Sequence, residues 1–487
     1  MLRSFDLKLK DILEGYPHSL NGNKDIENID INSIVFDSRK CEEGSMFVCI
    51  VGYETDGHKY IDSALKLGVK VICHSEELEG YKDDITYIKC ENTRNALAYF
   101  ANRFYSFPSK NLKLIGVSGT NGKTSFCDIA HTLFENLGFK TDYIGTLGRK
   151  NTKLEGQIIR TTPEITELTK DFSDMVKNDV DYCFLEVSSH GLVLDRVSFL
   201  NFYVGVFSNL SMDHLDFHKT MEEYYQAKKK LYYMVDRFSV INIDDDYGHR
   251  LYNELTEDKK DVISFGEKEE SDYKITIKEL SLSKSSFTLT KGNNKYDFII
   301  NSIGKFNIYN VTPAIIIALE EGIGYEKIKE AILRYHGTNG RIERIAEDIF
   351  IDYAHTPDAM EKILKLIREV SSKKITLVFG CGGNRDHGKR PVMGSISEKY
   401  ADNIILTMDN PRKEKNEDII KDILNGIKNK DKTEIIYDRK EAINKAVRNK
   451  KDDEIVLVLG KGHETYQELG DKKIYFSDRE EILNSLK

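Results

Sequence analysis

Residues 116–125 read Gly-Val-Ser-Gly-Thr-Asn-Gly-Lys-Thr-Ser, directly after the apolar run 112–115 and directly before a helical pattern. A glycine-rich turn between a strand and a helix is a phosphate cradle. The glycines let backbone N–H groups turn toward an anion, and the helix N-terminus adds positive potential. Lys123 supplies a full charge, and Thr124 has the hydroxyl that such loops offer to Mg²⁺. The loop departs from the usual G-x-x-x-x-G-K-[ST] spacing, because five residues separate Gly116 from Gly122. The expectation is a nucleotide-phosphate site at Gly119, Thr120, Asn121, Gly122, Lys123 and Thr124.

Outward from this loop, apolar runs at 112–117, 182–187 and 203–208 alternate with amphipathic stretches such as 125–137. That alternation predicts a doubly wound, largely parallel sheet. Between 262 and 300 the period shifts toward two, with strands expected at 273–282, 286–290 and 296–300. The Gly292-Asn293-Asn294 turn predicts a small antiparallel extension there. The first residues form a separate α/β pattern, with strands at 33–36, 46–51, 69–73 and 85–89 and a helix at 61–67. Proline 108, in a short polar stretch, marks a junction. After Gly337-Thr-Asn-Gly-Arg341 a further βαβ array follows, with strands at 349–353, 375–379, 403–408, 434–437 and 454–459. Its helices start near Pro357, Asn416 and Arg439, and it lacks G-x-G-x-x-G. The fold class predicted is α/β in three domains (1–107, 108–336 and 337–487), with a central P-loop doubly wound sheet and a C-terminal Rossmann-like sheet.

At 487 residues the chain exceeds one ordinary core, and roughly two to four domains are expected. A formal charge of −9, with lysines interleaved among acids, argues against nucleic acid as a partner. No apolar stretch approaches the ~20 residues that span a bilayer, and residues 1–8 contain no uninterrupted apolar leader. The seven cysteines form no C-x-x-C pair, and several lie in apolar runs as buried free thiols. A cytoplasmic, monomeric enzyme without membrane contact is expected.

Residues just past the carboxyl end of a strand face the ligand crevice of an open α/β sheet. Glu186, in Glu186-Val-Ser-Ser-His-Gly191, is so placed and suits Mg²⁺ held against the cradled phosphates. The stretch 208–218 carries Asp213, His214, Asp216 and His218. It reads equally as metal or substrate contacts and as a capped helix start with surface histidines. Lys229 and Lys230 read as a solvated helix face. In the last domain, Gly380-Cys-Gly-Gly-Asn-Arg385 and Asp409-Asn-Pro-Arg412 each place an arginine after a strand, suited to bidentate carboxylate binding. Gly460-Lys-Gly-His-Glu464 adds an acid suited to an ammonium. Two arginines and a carboxylate suit an amino acid with an extra charged end.

Taken in order, Gly119–Thr124, Glu186–Gly191, the segment 209–214, Asp352-Tyr-Ala-His355, Gly382-Gly-Asn-Arg-Asp386, Asp409–Arg412 and Gly460–Glu464 resemble the Mur ligases. The likeness runs from Asp37-Ser-Arg39 to Ser477-Asp-Arg479. The resemblance implies ATP-dependent addition of a diamino acid to UDP-MurNAc-L-Ala-D-Glu in peptidoglycan synthesis, through an acyl phosphate. It implies that Lys123, Glu186, His214 and Lys228 are catalytic. Thr124, Glu186, His214 and a carbamylated Lys228 would hold Mg²⁺. Asn307, Arg341 and Asp352 join the phosphate loop as ATP contacts. Phe36, Ser38, Thr161, Thr162, Ser188 and Arg196 would bind the UDP-muramoyl dipeptide, although Leu194 stands where some relatives carry glutamine. Arg385, Asp409, Asn410, Pro411, Arg412, Gly460 and Glu464 would form the diamino-acid site. The Asp-Asn-Pro-Arg form goes with meso-diaminopimelate, and meso-lanthionine carries the same two carboxylates.

Other classes fit less well. Asn449-Lys-Lys-Asp452 matches the N-K-x-D of guanine-reading switches but precedes a strand in a charged loop. A pure binding module would not need Lys123, Glu186, His214 and Lys228 together. Folylpolyglutamate synthase shares the central and C-terminal domains but lacks the N-terminal one and adds glutamate.

Overall fold

The computed structural model describes residues 7–52, 55–150, 160–335 and 337–487. Residues 1–6 of the N-terminal stretch considered above lie outside that set. The chain divides into two compact units, Met1–Lys274 with Thr312–Glu321, and Ile275–Val311 with Gly322–Lys487.

The first unit opens on a five-stranded sheet in the order Ser19–Gly22, Thr86–Lys89, Val71–His74, Ser45–Val48, Ser33–Val35. Four strands are parallel, and Ser19–Gly22 runs antiparallel on the edge. That edge strand is absent from the sequence expectation because Ser-Leu-Asn-Gly has no strand-like composition. Its second sheet runs Gly148–Lys150, Thr141–Gly145, Tyr182–Glu186, Lys113–Ser118, Phe202–Phe207, Val235–Asn242, Val262–Gly266. These strands are parallel except for Gly148–Lys150. Strand Lys113–Ser118 lies between Tyr182–Glu186 and Phe202–Phe207, so chain order reverses beside it. Such a switch point leaves a crevice at the carboxyl ends of the strands.

Helix Lys123–Asn136 follows directly, with Gly122 as its N-cap at φ +88°, a conformation costly to any residue with a Cβ. Phe126, Ile129, Ala130, Leu133 and Phe134 are buried at helical spacing, fixing the helix on the sheet. At about 1.5–3 kcal/mol for each large side chain, this stripe alone anchors the loop that precedes it.

The opposite end of the sheet closes on Glu321, whose side chain is 7% exposed. Lys113 lies 2.5 Å away, Arg237 pairs with it, and Tyr182 and Tyr203 donate hydroxyls at 2.7 and 2.9 Å. These partners come from four neighbouring strands, each near its amino end. Glu321→Gln is expected to cost about 1–3 kcal/mol, because a neutral amide cannot satisfy two cations and two hydroxyls. Differential scanning fluorimetry should show a lower midpoint, while turnover at room temperature stays near normal. An unchanged midpoint would mean the network contributes nothing net.

In the second unit, Ser285–Lys291 and Asn294–Ile300 pair antiparallel across the expected turn. A six-stranded sheet follows in the order Glu343–Ala346, Ile349–Asp352, Glu454–Leu459, Lys374–Phe379, Asn403–Leu406, Thr433–Ile435. Only Glu343–Ala346 is antiparallel. Separate apolar clusters cover its faces, one built on Met360, Leu364, Ile367 and Ile423, the other on Ile443, Val447 and Ile482. Helix Pro357–Val370 starts as the sequence predicts, with Thr356 as N-cap and proline at its first position.

All seven cysteines are free and buried. Among the described residues, no helix is long and apolar enough to cross a membrane. Lys229 corrects the solvated-face expectation. It is only 20% exposed and pairs with Glu254 at 2.8 Å, whereas Lys230 is exposed.

Candidate active site

The phosphate loop is laced to the segment after Phe207. Thr120 N–H donates to Asn209 O at 2.8 Å, Asn121 N–H to Asn209 Oδ1 at 3.1 Å, and Ser208 Oγ–H to Asn121 O at 2.7 Å. Asn209 therefore shapes the loop. Lys123 folds back, its ammonium donating to Gly119 O and Thr120 O at 2.8 and 2.9 Å. From the opposite side Lys228 donates to the same Gly119 carbonyl at 2.8 Å. Lys228 is 1% exposed, and burial, with Lys123 nearby, holds its ammonium well below the usual lysine range.

Glu186 is buried at the end of its strand and accepts four hydrogen bonds. Oε1 takes Tyr143 OH at 2.5 Å and Thr146 N–H at 2.8 Å; Oε2 takes the hydroxyls of Thr124 at 3.0 Å and Thr146 at 3.2 Å. A Cβ on Gly145 would lie 2.3 Å from Glu186 Oε1, so only glycine leaves room for the carboxylate. The Thr124 hydroxyl beside this carboxylate is an oxygen donor pair of the kind that hard divalent cations take. His214 stands at the N-cap of the short helix Leu215–His218 in a left-handed conformation, its side chain 46% exposed. Its ring lies 5.1 Å from His190. His214 is thus exposed, whereas His218 is buried against Tyr224.

Thr162, Ser188 and Arg196 gather beside Glu186. Thr162 Oγ1–H donates to Glu186 O at 2.8 Å and receives the Ser188 N–H at 2.9 Å, while Arg196 Nη1 reaches Thr162 O at 3.3 Å. Thr161 meets Thr146 at 3.3 Å. Arg196 is already paired with buried Glu164 at 3.0 Å, a partner the sequence reading omits. Phe36 and Ser38 lie elsewhere in this unit, half-buried beside the small sheet. Next to Ser38, Asp37 and Arg39 bind each other, holding the carboxyl of Asp37 below the usual range. A cavity of about 710 Å³ in the same unit is lined by Tyr16, Val51, Ser75, Glu91, Arg94 and Asn95, among others.

In the second unit, the loops after three strands converge. A Cβ built on Gly382 would lie 3.1 Å from Arg412 Nη1 and 3.8 Å from Arg385 Cγ, so both arginines flank one glycine. A Cβ on Gly460 would meet Asp409 Oδ2 at 3.0 Å. Asn410 Nδ2 donates to Glu464 Oε2 at 3.2 Å, and Pro411 is buried between Asn410 and Arg412. Beneath them Lys461, fully buried, bonds Asn410 Oδ1 and Glu464 Oε2 at 3.1 Å each, with Asp409 at 3.7 Å. Asp352 accepts the N–H groups of Ile342 and Ala354 at 2.7 and 2.6 Å; burial raises its carboxyl to about 6, against the pull of Arg341. Arg341 stacks 5.2 Å from the Tyr353 ring. Asn307, in the first turn of helix Lys305–Glu320, donates to Ile303 O at 2.9 Å.

Residues 30–105 match the description "Mur ligase family, catalytic domain", residues 117–318 the Mur ligase middle domain, and residues 340–462 the Mur ligase glutamate ligase domain. The chain belongs to the Mur ligase family. It is a ligase of peptidoglycan precursor synthesis. The UDP-N-acetylmuramoyl-L-alanyl-D-glutamate–2,6-diaminopimelate ligase 1 of Clostridium acetobutylicum is 43% identical over 94% of this chain and 95% of its own. The ligase of Clostridium tetani with the same substrates in its name is 43% identical over 98% of both chains. A solved UDP-N-acetylmuramoyl-L-alanyl-D-glutamate–2,6-diaminopimelate ligase superposes with a TM-score of 0.75 over 99% of both chains, at 29% identity.

One further element organises this Mur ligase's second unit. Arg439 and Asp478, both fully buried, pair at 2.7 Å, and the guanidinium donates to Leu459 O at 3.0 Å and Met408 O at 3.4 Å. Those carbonyls immediately precede Gly460 and Asp409. A single arginine thus pins two of the loops from below. The sequence offers no sign of this, because an arginine opening a helix reads as solvated.

Proposed function

We propose that the chain uses ATP to join a diamino acid bearing two carboxylates to the D-glutamyl carboxylate of UDP-MurNAc-L-Ala-D-Glu. The acceptor is meso-diaminopimelate or, by the same charge pattern, meso-lanthionine. The observation that carries this reading is the gathering of Arg385, Arg412, Asp409 and Glu464 on three loops: guanidinium for a carboxylate, carboxylates for an ammonium. The names of the similar ligases agree with it.

A free carboxylate is a poor electrophile. Its oxygen would attack the γ-phosphorus of ATP, forming an O–P bond as the bond to ADP breaks. The acceptor amine would then attack the acyl carbon, expelling phosphate and releasing a proton. Lys123, with the loop N–H groups, would hold the phosphates. Holding amine and acyl phosphate together supplies part of the ~7–11 kcal/mol available from proximity. Thr124 and Glu186 fit Mg²⁺, with His214 and a carbamylated Lys228 as further ligands. Bound there, Mg²⁺ would offset charge on the transferring phosphoryl group. Arg341, Asp352 and Asn307 would serve the nucleotide. Thr161, Thr162, Ser188, Arg196, Phe36 and Ser38 would serve the muramoyl dipeptide. The 710 Å³ cavity, with Arg94 at a helix N-terminus, suits its UDP end. The enzyme would work as a cytoplasmic monomer in three domains, 1–107, 108–336 and 337–487, limits that the family matches support.

Phosphate release with ATP, Mg²⁺ and UDP-MurNAc-L-Ala-D-Glu tests this directly, with product mass as confirmation. Turnover is expected with meso-diaminopimelate or meso-lanthionine and not with L-lysine. Release indifferent to acceptor would instead describe an uncoupled nucleotide switch.

A further inference from the structure

Beyond strand Glu454–Leu459 of the six-stranded sheet, a hairpin of Tyr466–Leu469 and Lys472–Tyr475 stands against the Asp409-Asn-Pro-Arg412 loop. Four hydrogen bonds join them. Gln467 Nε2 donates to Asp409 O at 3.0 Å, Glu468 N–H to Asn410 Oδ1 at 3.0 Å, Arg412 N–H to Glu468 O at 3.0 Å, and Gly470 N–H to Arg412 O at 2.8 Å. Two of these hold the backbone of Arg412, which sits at φ +53°, in the left-handed region that non-glycine residues avoid.

The side chain is held as firmly. Arg412 Nε lies 2.7 Å from Glu468 Oε2, and Nη1 donates to Gly383 O at 2.9 Å. A guanidinium has five N–H donors. The ion pair with Glu468 and the one Nη1 bond to Gly383 hold the guanidinium from two sides, and three Nη hydrogens remain for a ligand. Both side chains are about one-quarter exposed, so the pair borders solvent. Among the described residues, the other Glu468 oxygen pairs with Lys473, at 3.7 Å and itself half-exposed. The carboxylate is therefore committed to Arg412.

We propose that Glu468 is a positioning residue for the acceptor: its carboxylate and the hairpin hold Arg412 so that the Nη edge meets the acceptor's distal carboxylate. This rests on the reading of Arg412 as the group that takes that carboxylate. A fixed guanidinium loses less conformational freedom on binding than a mobile one, so the benefit falls on acceptor affinity.

The test is steady-state kinetics on the full-length enzyme with meso-diaminopimelate as acceptor, for wild type, Glu468→Ala, Glu468→Gln, Arg412→Ala and the double variant. Glu468→Ala is expected to raise the acceptor KM about fivefold, the upper scale of an ion pair that borders solvent. Its kcat and its KM for ATP should stay within about twofold of wild type. Glu468→Gln keeps the side chain's size and an oxygen beside Arg412 while removing the charge, and should recover only part of the loss. In the Arg412→Ala background, Glu468→Ala should add nothing, because its effect passes through the arginine. If Arg412→Ala raises the acceptor KM and Glu468→Ala leaves it unchanged, the positioning role is overturned. A lowered KM in Glu468→Ala overturns it too, and marks Glu468 as a competing carboxylate. If Arg412→Ala itself leaves the acceptor KM unchanged, the underlying reading of Arg412 fails instead.

Discussion

Lys228→Ala is expected to lower turnover on the order of a thousandfold, the scale seen when a group organising phosphoryl-transfer charge is lost. Lys228 carries no solubility role, since it is 1% exposed and its Nζ touches the phosphate loop at Gly119. Left as an ammonium, it would crowd Lys123 on one carbonyl. As a carbamate it would turn a second cation into an anion facing the site. Carbamate formation needs the neutral amine: its nitrogen attacks CO₂, a C–N bond forms, and a proton leaves. Burial and the neighbouring Lys123 lower the ammonium's pKa, so the neutral fraction is larger at any given pH than for an exposed lysine. Enzyme stripped of CO₂ should regain activity on adding bicarbonate and, at a fixed concentration of dissolved CO₂, faster as pH rises. Short carboxylic acids such as acetate or propionate should partly restore Lys228→Ala by supplying the missing oxygens. Wild-type turnover in the variant would end the carbamate role. So would the absence of a ¹³C carbamate resonance after ¹³CO₂ exposure.

Arg412→Ala should raise the KM for meso-diaminopimelate by about 10–100-fold while leaving the KM for ATP within about twofold, the range of one bidentate charged contact. Selectivity against L-lysine should shrink by the same factor, because only the dicarboxylic acceptor loses a partner. Backbone strain complicates the alanine variant, since position 412 sits at φ +53°. Arg412→Gly removes the side chain while suiting that conformation. Equal KM values for the two variants would assign the loss to the guanidinium. A parallel rise in the KM for ATP would remove Arg412 from the acceptor site.

Much of this architecture is legible in the chain. The strand–loop–helix at 112–137 and the strand ends at Glu186, Asp409 and Gly460 follow from apolar runs stopping at polar, glycine-rich turns. The fold needs nothing else to put those residues at carboxyl edges. What the sequence hides is who holds them. Tyr143 and Thr146 on Glu186, Lys461 under Glu464, Glu164 on Arg196 and Glu468 on Arg412 are ordinary residue types. Several are distant in the chain, and only tertiary pairing gives them a role. Lys229 shows the converse error: a lysine beside another lysine reads as solvent-facing until Glu254 arrives from the next helix.

The Arg439–Asp478 pair also ties the acceptor loops to helix Asp478–Ser485. Helix Asp478–Ser485 contributes the carboxylate that pairs directly with Arg439 in the interior, beside the charges of Asp409 and Glu464. Without that carboxylate, the donor shared by the Met408 and Leu459 carbonyls would be held less firmly. A change at Asp478 would therefore reach the acceptor loops through Arg439, although the carboxylate itself lies on another element.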